Sequence, residues 1–212
     1  MRIFIAGGHG QIALLLSRQL VEAGHEPVGF IRNPAHSVDL AAAGATSAVL
    51  DLENSSVDEV AAAIAGADAV VFAAGAGGGS TAERKLTVDR DGAILLGEAA
   101  AAAGVQRYIL ISAMSADDFD ADSDDVFQVY LKAKSEADAA IRASSLDWTI
   151  IRPGALTDDA PTGAVTVGAT VDRGSIPRAD VAAVIVSLIS TGSAVHEQFE
   201  LISGETPITA AF

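Results

Sequence analysis

Tyr130 and Lys134 stand four residues apart in the stretch YLKAK, the spacing that puts two side chains on one face of a helix. A phenol with an ordinary pKa of about 10 is a poor proton carrier at neutral pH. An ammonium on the same face favours its anion and tunes it for acid–base work. Ser112 closes the apolar run at 108–112 and offers a hydroxyl that can hold a substrate oxygen. A second group of residues suits a different task. Between the two apolar runs of IFIAGGHGQIALLL lie Gly7, Gly8 and Gly10, with Ala13 three residues further on. A glycine turn between strand and helix leaves room for an anion against the unpaired amides of the helix N-terminus, and a pyrophosphate is the anion this arrangement suits. Gly7 makes the tight turn, Gly10 lets backbone and phosphate approach, and Ala13 packs helix against strand. His9, Gln11 and Ile12 lie beside them as further contacts for the same ligand.

The end of the second strand bears on which dinucleotide would bind. An Asp or Glu there would take the ribose hydroxyls of NAD, but the chain reads Phe30-Ile31-Arg32-Asn33-Pro34. The donor fork of Arg32 suits a 2′-phosphate, so NADP(H) is expected over NAD(H).

These groups need a scaffold of strands that end in turns. Short β-branched runs alternate with longer Ala/Leu-rich segments of helical period along the chain. The pattern predicts strands at 2–6, 27–31, 47–50, 69–73, 108–112, 149–151 and 199–202. Helices are expected to begin near Gly10, Ala35, Val57, Thr81, Val126 and Arg178. The fold class is α/β, a Rossmann-like doubly wound parallel sheet with helices on both faces. One domain is expected over 1–212, with a small C-terminal extension on the substrate side and substrate-side segments at about 113–128 and 154–177. The acidic run ADDFDADSDD at 116–125 lacks the glycine and closing glutamate of a calcium loop, so it is expected as a solvated, mobile loop placed to cover a ligand. Asp180 is read as a charge at a helix N-terminus.

Composition narrows the partners. Of the 212 residues, 50% are hydrophobic and only 5% aromatic, so the core must come from Ala, Val, Ile and Leu. The formal charge of −15, without a Lys/Arg cluster, argues against nucleic acid and anionic membrane and leaves a small molecule as the expected substrate. The chain has no cysteine, and His9, His25, His36 and His196 form no i,i+4 ligand pair, so no metal is expected. The N-terminus MRIFIAGG runs straight into structure, and the expected location is cytoplasmic. Monomer and homodimer both stay open, because helices that pack across a dimer read like core helices.

With glycine turn, Arg32, Ser112, Tyr130 and Lys134 in this order, the chain resembles the short-chain dehydrogenase/reductase superfamily, most closely its small atypical members with an NAD(P)-binding, NmrA-like or epimerase/dehydratase-like domain. Gly7–Ala13 is similar to the family's GxxGxxG/A and Arg32-Asn33-Pro34 to its RNP element at the 2′-phosphate. The resemblance implies that Asp51 and Leu52 contact adenine, that Ala73, Ala74 and Gly75 line the cofactor, and that Pro153 borders the nicotinamide. It implies Tyr130, Lys134 and Ser112 as catalytic residues that also touch the cofactor, with Lys134 on the nicotinamide ribose. Asp89 stands where related enzymes carry a catalytic Asn, and Ser112-Ala113-Met114-Ser115 replaces the family's usual Ser-Ser pair. Arg178-Ala-Asp-Val-Ala182 resembles the family's C-terminal RxDVA helix start. The implied activity is that of an oxidoreductase passing hydride from NADPH to a small carbonyl, quinone or flavin-like acceptor. The resemblance also allows a sensor that binds NADP(H) without turnover, and a sugar-nucleotide epimerase or dehydratase. Little chain follows Gly154 to build a nucleotide-sugar pocket.

Overall fold

The computed structural model describes residues 1–212. Its first strand shows how the sequence builds two faces at once. In β1 (Arg2–Ala6), Ile3 and Ile5 point into one buried cluster while Phe4 and Ala6 point into another. Side chains alternate across a strand, so an unbroken apolar run belongs to a sheet covered on both sides.

The chain continues through α1 (Gln11–Glu22), β2 (Glu26–Ile31), a 3₁₀ turn, α2 (Ser37–Ala42), β3 (Thr46–Val49), α3 (Val57–Ala63) and β4 (Ala69–Phe72). The short α4 (Ala82–Arg84) runs into a π-helical stretch, Lys85–Asp91, and then α5 (Gly92–Ala103). There follow β5 (Arg107–Ile111), α6 (Val126–Arg142), β6 (Asp147–Pro153), β7 (Ala155–Thr157), β8 (Ala164–Gly168), β9 (Ser175–Pro177), α7 (Arg178–Thr191), β10 (Glu197–Ser203) and β11 (Thr206–Pro207). The main sheet has the order β3-β2-β1-β4-β5-β6-β10-β8-β11. Neighbours from β3 to β10 are parallel, whereas β8 is antiparallel to both β10 and β11. The sheet is therefore mixed, mostly parallel and Rossmann-like.

Helices α1 and α7 bury Leu16, Leu20, Val181, Ile185 and Leu188 against Ile3, Ile5, Val71 and Ile109. Helices α3, α5 and α6 bury Val60, Leu96 and Ile141 against Phe4, Val70, Phe72 and Leu110 on the other side. Each fully buried Leu or Ile contributes about 1.5–3 kcal/mol. Helix α3 starts on a reciprocal capping box, Ser56 with Glu59, and α6 on the Asp125 carboxylate, which accepts from the Phe127 and Gln128 amides.

Two expectations need correction. The segment 154–177 carries β7, β8 and β9, short strands that its glycines and polar residues hid from any apolar pattern; β7 and β9 pair with each other outside the main sheet. The acidic run is solvated, as expected, but it is tied down near both ends. Asp125 caps α6 and Asp117 pairs with Arg152; just before the run, the Ser115 amide donates to Glu200, whose other oxygen accepts from the Val171 amide. Asp180 stands in the first turn of α7, as expected; it is also buried, and its carboxylate accepts from the amides of Thr162 and Gly163 and the Thr162 hydroxyl, tying α7 to the loop before β8.

Candidate functional site

The strand order switches between β1 and β4, so the chain leaves their carboxyl ends toward opposite faces of the sheet and a crevice opens between the two connections. The glycine turn lies at this point. Gly7 has φ +76°, and a Cβ there would sit 2.6 Å from the Ala74 Cα, so no other residue fits. Gly8, to which spacing gave no task, lets the turn lie on β2: a Cβ would fall 2.6 Å from the Gly29 Cα. Gly10 precedes α1 in an extended conformation, with no side chain capping the helix and no acid in its first turn. The amides at Gln11 and Ile12 therefore face no carboxylate from their own helix.

A cleft of about 610 Å³ opens above this turn. It gathers Gly7, His9, Gly10, Arg32, Asn33, Asp51, Leu52, Ala73, Ala74 and Gly75, together with Glu53 and Arg84, which sequence reasoning missed. Several polar groups here have protein partners. Asn33 accepts from the Ala35 amide, Asp51 from the Glu53 amide and the Asn54 side chain, and His9 pairs with Asp39 at 2.8 Å while stacking on His36. Arg32 Nη1 lies 2.8 Å from Glu53 Oε2.

The remaining expected residues do not line this cleft. Gln11 and Ile12 begin α1, with Ile12 packed on the core, and Pro153 ends β6, where its carbonyl accepts from the Met114 amide. Tyr130 and Lys134 stand on α6. The Lys134 ammonium is almost wholly buried, donates to the Ile111 carbonyl at 3.1 Å, lies 3.4 Å from Asp89 Oδ1 and sits 5.8 Å from the Tyr130 ring centre. Asp89 in turn accepts from the Ala76 amide at 3.0 Å, and its Oδ1 lies 3.1 Å from where a Cβ on Gly75 would stand. Asp89 thus joins the cleft wall to the helix that carries Tyr130.

The π-helical stretch brings two residues to this place. Lys85 and Asp89 are its buried members; Lys85 donates to the Gly77 carbonyl and stands 5.0 Å from the Tyr130 ring centre, nearer than Lys134. Such stretches concentrate at functional sites. The i,i+4 pair Lys85/Asp89 is visible in the sequence, but nothing there marks the wider turn.

The electrostatics differ from the simple tyrosine–lysine picture. Burial raises the Tyr130 pKa, Lys134 opposes it, and Asp89 and Asp138 add to the rise, so the phenol stays above its ordinary value. Burial pulls Lys134 down, but Tyr130, Asp89 and Asp138 together outweigh it and hold the ammonium above the usual lysine range.

Ser112 also needs correction. Its hydroxyl donates to Asp138 Oδ2 at 2.8 Å and is committed there instead of being free for a substrate oxygen. Asp138, one turn beyond Lys134, is fully buried and accepts from Arg152 at 2.8 Å, while its Oδ1 has no partner. Burial raises its pKa, against the pull of Arg152 and Ser112. Arg152 also grips Asp117, and that hydrogen bond takes the Asp117 carboxyl down to about 2.

A family model described as NAD(P)H-binding matches residues 7–191. The chain belongs to this NAD(P)H-binding family. Within it, the chain is similar to the uncharacterized sugar epimerase YhfK of Bacillus subtilis (strain 168), 37% identical over 212 residues that span 100% of this chain and 98% of that protein. A structure from Bacillus halodurans, named an NAD-dependent epimerase/dehydratase, superposes with a TM-score of 0.90 at 36% identity, covering 99% of this chain and 97% of that one. The oxidoreductase ylbE from Lactococcus lactis superposes with a TM-score of 0.85 at 28% identity, covering 100% and 94%. The fold and the motifs are those of an atypical short-chain dehydrogenase/reductase.

The family's nicotinamide dinucleotide fits the residues present. The turn at Gly7 excludes a side chain, the α1 N-terminus is uncapped and free of acids, and the cleft carries arginines toward the end of β2. No group of three or more His, Cys, Asp or Glu side chains is placed to hold a metal, and no helix is long and apolar enough to cross a membrane.

Proposed function

We propose that this family member is an NADP(H)-dependent reductase acting on a small carbonyl, quinone or flavin-like acceptor. The observation that carries the reading is Tyr130 flanked by the Lys134 and Lys85 ammonium groups, with Asp89 linking this cluster to the wall of the cofactor cleft. When bound, the cofactor supplies hydride from its nicotinamide. The α1 amides and the Gly7 turn would hold the pyrophosphate, and Arg32 the 2′-phosphate.

Tyr130 would give its proton to the acceptor oxygen. Its raised pKa suits that direction, because the phenol remains loaded at neutral pH, while Lys134 favours the phenolate left behind. Asp89 orients Lys134. Ser112, whose hydroxyl donates its hydrogen bond to Asp138, would brace α6 against β5 and leave Tyr130 as the proton donor. The formal charge of −15 agrees with a small-molecule substrate and disfavours nucleic acid.

A second reading, cofactor binding without turnover, draws support from the same Ser112–Asp138 bond, which withholds one expected hydroxyl from the substrate. Titration with NADPH and NADH by nicotinamide fluorescence, followed by a carbonyl, quinone and flavin panel scored for NADPH oxidation, separates the two. Turnover with any acceptor class supports the reductase. Tight binding with no oxidation across the panel supports the sensor.

A further inference from the structure

At the β2 end of the cleft, two arginines converge on one carboxylate oxygen. Arg32 Nη1 and Arg84 Nη2 each stand 2.8 Å from Glu53 Oε2. Thr87 donates to the other oxygen, Oε1, at 2.7 Å. Glu53 is thus anchored by α4 and the π-helical stretch, and Arg32 reaches it from the opposite wall. The side chain of Arg32 is 57% exposed, that of Arg84 38% and that of Glu53 21%. The Arg84 hydrogen bond, with help from Thr87 and Arg32, keeps the Glu53 carboxyl below its ordinary value, so the group is charged at neutral pH.

Two guanidinium groups meeting at one point form an anion site, and here the protein's own carboxylate fills it. A phosphate arriving at Arg32 must share that site with a fixed negative charge. A ribose hydroxyl carries no charge and meets no such opposition.

We infer that Glu53 is a specificity-determining residue that restrains affinity for the 2′-phosphorylated cofactor relative to the unphosphorylated one, and that Arg84 is the second guanidinium of the phosphate site. The inference rests on the cofactor reading given above. Like-charge opposition at the 2′ position falls on NADPH alone, and a pair this exposed has a modest worth.

The test is Glu53→Gln, nearly the same shape, with an oxygen still able to accept from the arginines or Thr87 but without the charge. Wild type and variant are titrated with NADPH and NADH at low ionic strength by nicotinamide fluorescence. The expected result is NADPH binding about three- to fivefold tighter in Glu53→Gln, with NADH changed by less than about twofold. Arg84→Gln is expected to weaken NADPH by about fivefold or more with little effect on NADH. A purely structural role for Glu53 or Arg84 would move both cofactors together. Equal shifts for the two cofactors, or weaker NADPH binding in Glu53→Gln, overturns the inference while leaving the cofactor reading intact. A wild-type protein that binds neither nucleotide overturns both.

Discussion

The two ends of the site handle charge in opposite ways. In the cleft, Arg32, Arg84 and Glu53 meet where water still reaches them, and Arg32 is more than half exposed. Around α6, Lys134, Asp89 and Asp138 are buried almost completely, and each charge depends on a fixed partner. Exposed pairs contribute about 0–1 kcal/mol and can be rearranged by an incoming ligand. Buried pairs cannot, because removing one member strands the other away from water. The open end is therefore suited to adjust affinity, and the closed end to hold a reactive geometry.

This contrast can be attacked first at its strongest point. Lys134→Met removes the ammonium beside Tyr130 and leaves Asp89 buried without its ion pair, so turnover is expected to fall at least about a hundredfold and stability by about 3 kcal/mol. An acceptor assay and urea denaturation read the two effects. Arg152→Ala is expected to cost about 3 kcal/mol in the same denaturation experiment, because Asp138 then has only Ser112 for a partner.

At the open end, Arg32→Ala is expected to weaken NADPH about tenfold and NADH less than twofold, with stability unchanged within about 0.5 kcal/mol. Equal losses for the two cofactors would mean that Arg32 does not single out the 2′-phosphate. The smallest effect concerns Asp117, half-exposed on the far side of Arg152. Its carboxyl titrates at about 2 in the folded chain against an ordinary value of 3.8, so the stability it adds is present above about pH 4 and is lost as the pH falls through 2. Solvent screening holds that contribution to about 1 kcal/mol or less. Asp117→Asn should be slightly less stable than wild type at pH 6, with the gap closing toward pH 2.

The same division governs what could be read from the sequence. The glycine turn and Arg32 were legible because each sits at the end of an apolar strand, Asp51 and Ala73–Gly75 entered through the family resemblance, and the parallel sheet brings all of them to one cleft. The stripe Tyr130/Lys134 was legible from helical period, and Asp138 continues it one turn on. Ser112 was found, but its partner was not, since Asp138 and Arg152 meet it only after β5, α6 and β6 pack. Glu53 and Arg84 come from segments far apart in sequence with no local signal. Lys85, which stands over the Tyr130 ring, opens the π-helical stretch, and no residue in KLTVDRD announces that geometry. The strands β7 to β9 were missed because 154–177 is rich in glycine and polar residues, and its order comes from Glu200 and Asp180 gripping backbone amides.

In the mechanism we propose, Tyr130 donates the proton while the cleft at the Gly7 turn carries most of the cofactor's binding. The most direct test of this mechanism compares wild type and Tyr130→Phe for NADPH affinity by fluorescence and for NADPH oxidation with the best acceptor of the panel. The account predicts affinity unchanged within about twofold and turnover reduced at least about a hundredfold. Undiminished turnover in Tyr130→Phe, or parallel loss of binding and turnover, would contradict it.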